Sequence, residues 1–371
     1  MFLNLFFCGF GDKLIISASG IASAAKSFYI KGRKVKSITK FNVPNEQIKA
    51  AFRAAGIGEI SDIAEISDGW YNSVFSASDR AGKKYVIKIA PKKEVKVLTH
   101  EKSLMAAEVN FYRVINQQTS IRTPKIICSD FSEEIIPAPY FIMDFLAGER
   151  LDKANLTPEE REQADRQWAW IFAELHKIKG AGFGYEQVGL TDNWKDALKR
   201  MTKILIADAA SFGKKCPIGT KLLKYIEMFS DELKGVPSVL VNFDLHALNL
   251  FCEKTEEGIR LAVFDLERAF WGDKIGDFVL PEMLTAFPKK RILALYNRYA
   301  DTPITVGRNE LVRYNLMLAY LAAIMYTERF SRFKGITKLF NRIYLAGTAG
   351  YIFSAKVSFS ALKKLSRVPK K

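Results

Sequence analysis

Histidine and cysteine are scarce in this chain of 371 residues, with three and four copies respectively. His100, His176 and His246 are too few and too scattered for a multi-histidine metal site. Cys8, Cys128, Cys216 and Cys252 show no paired spacing, so neither a disulfide framework nor a zinc site is expected, and a reducing cytoplasm fits best. Long apolar runs are missing as well, where a membrane-crossing helix needs roughly 18 or more apolar residues. The apolar start from Met1 to Gly11 stops at Asp12 and Lys13 and lacks a positive leading region and a cleavage site, which disfavours a secretory signal. The runs Asn315 to Thr327 and Ile343 to Ala355 are bounded by Arg313 and Glu328, and by Arg342 and Lys356, and read as buried helices of a globular lobe. No internal repeat is visible, and no arginine-rich tract interleaves with aromatics.

Positive charge is abundant: 56 Lys and Arg against 40 Asp and Glu leave a formal net charge of +16. That balance suits nucleic acid, an anionic membrane surface or an anionic substrate such as a nucleotide, and it equally suits lysines scattered for solubility. Charge alone decides nothing. The 49% hydrophobic and 26% charged content is that of an ordinary globular protein, and the length suffices for two packed lobes.

Residues 1–45 join no clear pattern and are treated as an N-terminal extension, a candidate for poor order. From Asn45 to Phe52 the spacing predicts a capped amphipathic helix. Ile60 to Ser67, Ser73 to Ser78 and Tyr85 to Ala90 then read as strands, with Ala81-Gly82-Lys83 as a hairpin turn. Lys102 to Asn116 has helical periodicity, and Pro124 and Pro139 bracket two further strands, Lys125 to Phe131 and Tyr140 to Phe145. Thr157-Pro158-Glu159-Glu160 is a helix start, with a capping Thr, Pro at the first helical position and acids in the first turn. That helix runs to about Lys177. Short strand-like segments at Ser238 to Val241, Leu250 to Cys252 and Leu261 to Phe264 interrupt later helices, and from Pro281 onward the chain reads as mostly helical. The expected architecture is α+β and bilobal: residues 46–146 a strand-rich, nucleotide-binding N-lobe, and 147–371 a larger helical C-lobe carrying the catalytic loops.

The sharpest signal is Val241-Asn242-Phe243-Asp244-Leu245-His246-Ala247-Leu248-Asn249, with Asp and Asn five positions apart between apolar segments. Sixteen residues past Asn249 comes Asp265, in Val263-Phe264-Asp265-Leu266-Glu267. Phosphoryl transfer needs such a set: one carboxylate orients the substrate hydroxyl and accepts its proton, while an Asn oxygen and a second carboxylate hold Mg²⁺ against the phosphates. Asp and Asn alone are common turn caps. The two loops together point to chemistry.

The chain resembles the aminoglycoside phosphotransferase and choline kinase-like family, the small-molecule branch of the protein-kinase-like fold, over about residues 60–285. That family's catalytic loop usually reads His-Gly-Asp-Leu-His-x-x-Asn, and its metal loop Ile-Asp-Trp-Glu followed by Gly-Asp and a later Asp. The counterparts here are Asn242 to Asn249, Phe264 to Glu267, Gly272-Asp273 and Asp277. The resemblance implies Asp244 as catalytic base, Asn249 and Asp265 as metal ligands, and Asp277 as a brace for the catalytic loop. Asn242 replaces the family's usual His and Phe243 a small residue; Asn offers similar hydrogen bonds, so Asn242 is expected, with His246, to support the loop.

The front lobe supplies a matching half. Tyr85-Val86-Ile87-Lys88 is comparable to the Val-Ala-Ile-Lys strand of kinases, and Glu108, preferred over Glu101, is the expected partner that orients Lys88 toward the α- and β-phosphates. Gly69-Trp70-Tyr71-Asn72-Ser73 lies where a phosphate-covering turn belongs, and the family often has Gly-x-x-Asn there, so Gly69, Asn72 and Ser73 are candidate nucleotide contacts. Backbone groups near Asp144 and Leu146 would meet the adenine edge. His176, Trp168 and Trp170 read as helix packing.

The reading is an ATP-dependent (or other nucleoside triphosphate-dependent), Mg²⁺-requiring kinase of a small-molecule hydroxyl, without a specific nucleic-acid partner or a transmembrane segment. Aminoglycoside-like antibiotics, amino sugars and choline-like alcohols all stay open as acceptors. A nucleotide-binding pseudokinase with a regulatory or scaffolding role, and a basic surface protein, are the alternatives; the second explains none of the spacings.

Overall fold

The computed structural model describes residues 29–30, 33–34, 37–66, 71–280, 290–332 and 338–368; the apolar start at Met1 and the turn residues Gly69 and Trp70 lie outside them. A pair of two-residue strands, β1 (Tyr29–Ile30) and β2 (Arg33–Lys34), precedes helix α1 (Asn45–Ala54). Five antiparallel strands follow: β3 (Ile60–Glu65), β4 (Ser73–Asp79), β5 (Lys84–Ile89), β6 (Ile126–Asp130) and β7 (Tyr140–Asp144), in the order β3-β4-β5-β7-β6. The predicted turn between β4 and β5 is closed by the Asp79 carboxylate, which accepts from the amides of Ala81 and Lys83 at 2.9 Å each.

Strand alternation decides what this sheet shows to each side. Tyr85, Ile87 and Ile89 of β5 join Phe75, Ala77, Tyr140 and Ile142 on one face, where Ile48, Ala51 and Phe52 of α1 cover them. Val86, Phe141 and Met143 face the other way, into a core shared with helix α2 (Leu104–Gln118) and the helical lobe. Lys88, two residues after Val86, belongs to that inner face. Period two carries a lysine to the cleft.

The link between lobes ends at Gly148, whose φ of +99° is costly for residues with a Cβ. A Cβ there would run into the carbonyl of Cys252. The approach is this close because β8 (Glu149–Arg150) pairs with β10 (Leu250–Thr255), which in turn pairs with β11 (Gly258–Val263). This hairpin is longer than its apolar segments predict, since polar residues continue the ladder toward the Thr255–Gly258 turn. A two-stranded sheet of β9 (Val239–Val241) and β12 (Phe270–Gly272) leads into the loop that bears Asp244.

Helices make the rest of the second lobe: α3 (Pro158–Leu175), α4 (Trp194–Ser211), α5 (Pro217–Met228), α6 (Lys290–Tyr299), α7 (Arg308–Arg332) and α8 (Lys338–Leu365). Helix α7 is buried along nearly its whole length, from Val312 to Arg332, which explains its long apolar run. Among the described residues no helix is long and apolar enough to cross a membrane. The architecture is the bilobal α+β arrangement expected.

Helix α3 begins as its sequence predicts. Thr157 Oγ1 accepts from the Glu160 amide at 3.2 Å, and Glu160 Oε2 accepts from the Thr157 amide at 2.8 Å, a reciprocal capping box. Thr157→Ala is expected to lower the unfolding free energy by about 1 kcal/mol, with Thr157→Asp retaining most of it, as read from urea denaturation.

Candidate active site

The hairpin β10–β11 turns a spacing of sixteen residues into a contact. Its register pairs Leu250 with Val263, so Asn249 and Phe264 lie side by side at the open end, where the Phe264 amide donates to the Asn249 carbonyl at 3.2 Å. Asp265 follows directly, held at a φ of +65° with its amide donating to the Tyr112 hydroxyl of α2 at 2.8 Å. Asn249 Nδ2 donates to both the carbonyl (3.0 Å) and the carboxylate (3.1 Å) of Asp244. With its nitrogen so engaged, the carboxamide oxygen of Asn249 is the atom left for a cation.

Lys88 meets this cluster from the other lobe. Its ammonium lies 2.8 and 2.9 Å from the two Glu108 oxygens, 2.8 Å from Asp265 Oδ1 and 3.6 Å from Glu267 Oε2. Burial works against the charge on Lys88, but Asp265, Glu108 and Glu267 outweigh it and hold its proton well above the usual lysine range. Burial raises Glu108 despite the pull of Lys88. Glu267 is pushed to about 8 by burial, with the neighbouring Asp265 charge adding to it. Carboxylate oxygens of Glu108, Asp265 and Glu267 come within 4.8 Å of one another, a convergence of oxygen ligands around one lysine. Such oxygens suit a hard divalent cation like Mg²⁺. The Asn72 side chain, from the predicted phosphate-covering turn, reaches across the cleft and donates to Glu267 at 3.0 Å.

The loop bearing Asp244 is braced from below. Asp277 accepts from the amides of Asn242 (3.3 Å) and Phe243 (2.7 Å). With the Asp277 carboxylate accepting from His176 Nε2–H at 2.9 Å, the His176 Nδ1 accepts a hydrogen bond from the Tyr296 hydroxyl at 3.0 Å. These bonds hold Phe243 at a φ of +62°, a strained conformation for a side chain of that size, with its ring packed against Phe270 and Tyr320. Asn242 Oδ1 accepts from the Asp244 amide at 3.0 Å, while its Nδ2 is buried without a partner among the described residues. Asn242 therefore does part of the supporting work expected of it. His246 Nδ1 accepts from the Leu248 amide at 3.1 Å, and its Nε2 lies 3.7 Å from Asp244. Burial raises Asp244 above the usual carboxylate range, against the pull of Arg268 and His246.

Two of the expected nucleotide contacts make other bonds, and a third lies outside the described residues. The Ser73 hydroxyl points at the Phe41 carbonyl at 3.5 Å, because Ser73 shares the face of Phe75 and Ala77 and alternation turns it from the cleft. The Asp144 amide already donates to the Lys125 carbonyl at 3.0 Å, which leaves the half-buried Leu146 as the nearer candidate for the adenine edge. Gly69 lies outside the described residues.

Residues absent from the sequence-based site complete it. His176, read from sequence as helix packing, is packed and also anchors the brace. Tyr112 holds the Asp265 amide, Glu267 ties Asn72 to Lys88, and Arg268 sits 3.4 Å from Asp244 Oδ2 with Glu328 of α7 behind it. The available signals were the position of Arg268 directly after Glu267 and the acid Glu328 directly after the apolar run from Asn315 to Thr327.

His176→Ala is expected to leave the Asp277 carboxylate short of a buried donor and to lower the unfolding free energy by about 1–3 kcal/mol, measured by denaturant titration. His176→Gln, which keeps a donor, should recover part of that loss.

The profile of the phosphotransferase enzyme family (APH) matches residues 62–300, which span both lobes and every loop just described. Solved structures agree in fold. An inferred aminoglycoside phosphotransferase from Ralstonia eutropha superposes with a TM-score of 0.61 at 17% identity, covering 87% of this chain and 99% of the other. An inferred fructosamine-3-kinase from Thermobifida fusca gives 0.60 at 15% identity, over 85% and 98% of the two chains. The streptomycin–ATP complex of the aminoglycoside phosphotransferase APH(2'')-IIa gives 0.53 at 17% identity, over 85% and 97%. Among curated proteins, a probable acyl-CoA dehydrogenase from Arabidopsis thaliana is 24% identical over 226 residues; the match spans 58% of this chain and only 27% of that longer protein. With well over half of its length matched by the family profile, the chain belongs to the phosphotransferase enzyme family.

Proposed function

We propose that this protein transfers the γ-phosphoryl group of ATP to a hydroxyl of a small molecule. The observation that carries the reading is the meeting, in one interlobe cleft, of Asp244 and Asn249 from one loop, Asp265 from another and the Lys88–Glu108 pair from the front lobe. Lys88, oriented by Glu108, presents its ammonium to the nucleotide phosphates. Asn72 lies at the mouth of the same space, and the backbone near Leu146 receives the adenine. Asn249 and Asp265 would hold Mg²⁺, with Glu267 close by; the ion would neutralise charge on the phosphates and orient them. Asp244 accepts the acceptor's hydroxyl proton, a task that its raised pKa favours over a fully solvated carboxylate. Asn242, His246 and Asp277 keep that carboxylate in place. The structure of APH(2'')-IIa with ATP and streptomycin supports the nucleotide assignment by likeness of fold.

For the acceptor, one acid suited to drawing a polycation is already neutralised: Glu328 pairs with Arg268 at 2.9 Å. This favours acceptors that carry little positive charge.

The test is ATP consumption by the full chain over a panel of neutral hydroxylated metabolites, amino sugars, choline-like alcohols and aminoglycosides, with and without Mg²⁺. Asp244→Asn is expected to lower kcat by about 10²–10⁴-fold while ATP binding survives. Unchanged turnover in that variant sinks the assignment of the base. ATP binding with no turnover on any acceptor or on water points to a pseudokinase instead.

A further inference from the structure

Helix α7 lies wholly beyond residue 300, past the region that the family profile matches, yet its last turn reaches both halves of the cleft. Glu328 and Arg332 are four residues apart and so share one face of the helix. Glu328, 5% exposed, grips the Arg268 guanidinium at 2.9 and 3.1 Å, and the Nε of that arginine lies 3.4 Å from the Asp244 carboxylate. Arg332, 7% exposed, pairs with Glu101 and lays its guanidinium over the Tyr71 ring at 4.5 Å. The Tyr71 hydroxyl donates to the Glu101 carbonyl at 3.1 Å, and the next residue is Asn72, whose amide reaches Glu267.

We propose that the final turn of α7 is a positioning element for phosphoryl transfer: Glu328 sets Arg268 against the Asp244 base, and Arg332 sets the turn that carries Tyr71 and Asn72. The inference rests on the kinase reading above. Stability alone is a poor account of this arrangement. Buried ion pairs contribute little compared with apolar side chains of similar volume, and the preceding stretch of α7, from Leu316 to Ile324, is packed almost wholly by apolar groups. The charged residues appear where the helix passes the base and the turn. Arg268 donates one hydrogen bond to Glu328 at 3.1 Å, and a second guanidinium nitrogen lies 2.9 Å from the same carboxylate, a charge-assisted contact that orients the planar group. Arg332, placed between Glu101 and the Tyr71 ring, adds a contact between the helical lobe and the front lobe beside Tyr71. Neither residue touches the reacting atoms; each acts through another.

The experiment compares Glu328→Gln, Arg332→Gln, Arg268→Gln and the pair Glu328→Gln/Arg268→Gln in the ATP-consumption assay, with the best acceptor found or with water. Glu328→Gln should lower kcat on the order of tenfold with KM for ATP unchanged, and Arg332→Gln should raise KM for ATP on the order of tenfold with a smaller effect on kcat. The double variant should be no slower than Arg268→Gln alone, since Glu328 then has no arginine to position. Multiplicative losses in the double variant, or losses of kcat and KM in both single variants that simply follow a fall in melting temperature, would overturn the proposal. Should the glutamine variants fail to fold, the apolar replacements Glu328→Met/Arg268→Met and Arg332→Met/Glu101→Leu take their place. Wild-type kinetics in either folded pair would refute the positioning role. An active wild-type enzyme with unaffected variants fails this inference alone, whereas a wild-type chain without turnover fails the kinase reading itself.

Discussion

A lysine ammonium buried among carboxylates is the constraint on which the cleft depends. Isolated in the interior, Lys88 would lose its proton; flanked by Glu108, Asp265 and Glu267 it keeps it. The partners come from two distant parts of the chain: Glu108 from the helix packed under the sheet, and Asp265 and Glu267 from the far end of a hairpin in the other lobe. The charge cluster is therefore also a joint between lobes. It demands that the sheet, α2 and the hairpin meet at one point, because leaving any of these charges buried alone is costly.

Around that joint the backbone is held in conformations it would not adopt freely. Phe243 and Asp265, one on each loop, both have positive φ without being glycine. Asp277 and Tyr112 compensate by accepting the neighbouring amides, and the ring of Phe243 gains a packed position between Phe270 and Tyr320. Strain of this kind persists where surrounding contacts over-determine the geometry, and it aims the two acids toward one space. His176 extends the brace one layer deeper, so the loop rests on α3 and α6 as well as on its own sheet.

The buried ions of α7 add an interlobe tie distinct from the Lys88 cluster but joined to it through Tyr71, Asn72 and Glu267. The link at Gly148, the lysine cluster and the end of α7 fasten the lobes together with further bonds such as Thr99–Asp208 and Asn110–Glu186. Motion of one lobe against the other has to move all of them, which makes the cleft a mechanically coupled unit.

Much of this was legible in the residues themselves. Alternation in Tyr85 to Ile89, the capping box at Thr157 and the periodicity of α2 are local patterns, and local patterns report secondary structure because they act within a few residues. Asp244, Asn249, Asp265 and Lys88 could be proposed because their types and intervals match the needs of phosphoryl transfer, and Glu108 was preferred to Glu101 because its mid-helix setting resembles the family pattern. What the residues could not disclose was direction and partnership. Ser73 faces away from the cleft although it sits in the right turn, since the strand's pleat, not its place in the chain, sets the face. His176 holds Asp277 across about a hundred residues, and Glu328 meets Arg268 across sixty. Such pairs are decided only when helices and sheets pack, because a hydrogen bond or ion pair depends on distances that sequence spacing beyond a helical turn or a hairpin does not determine.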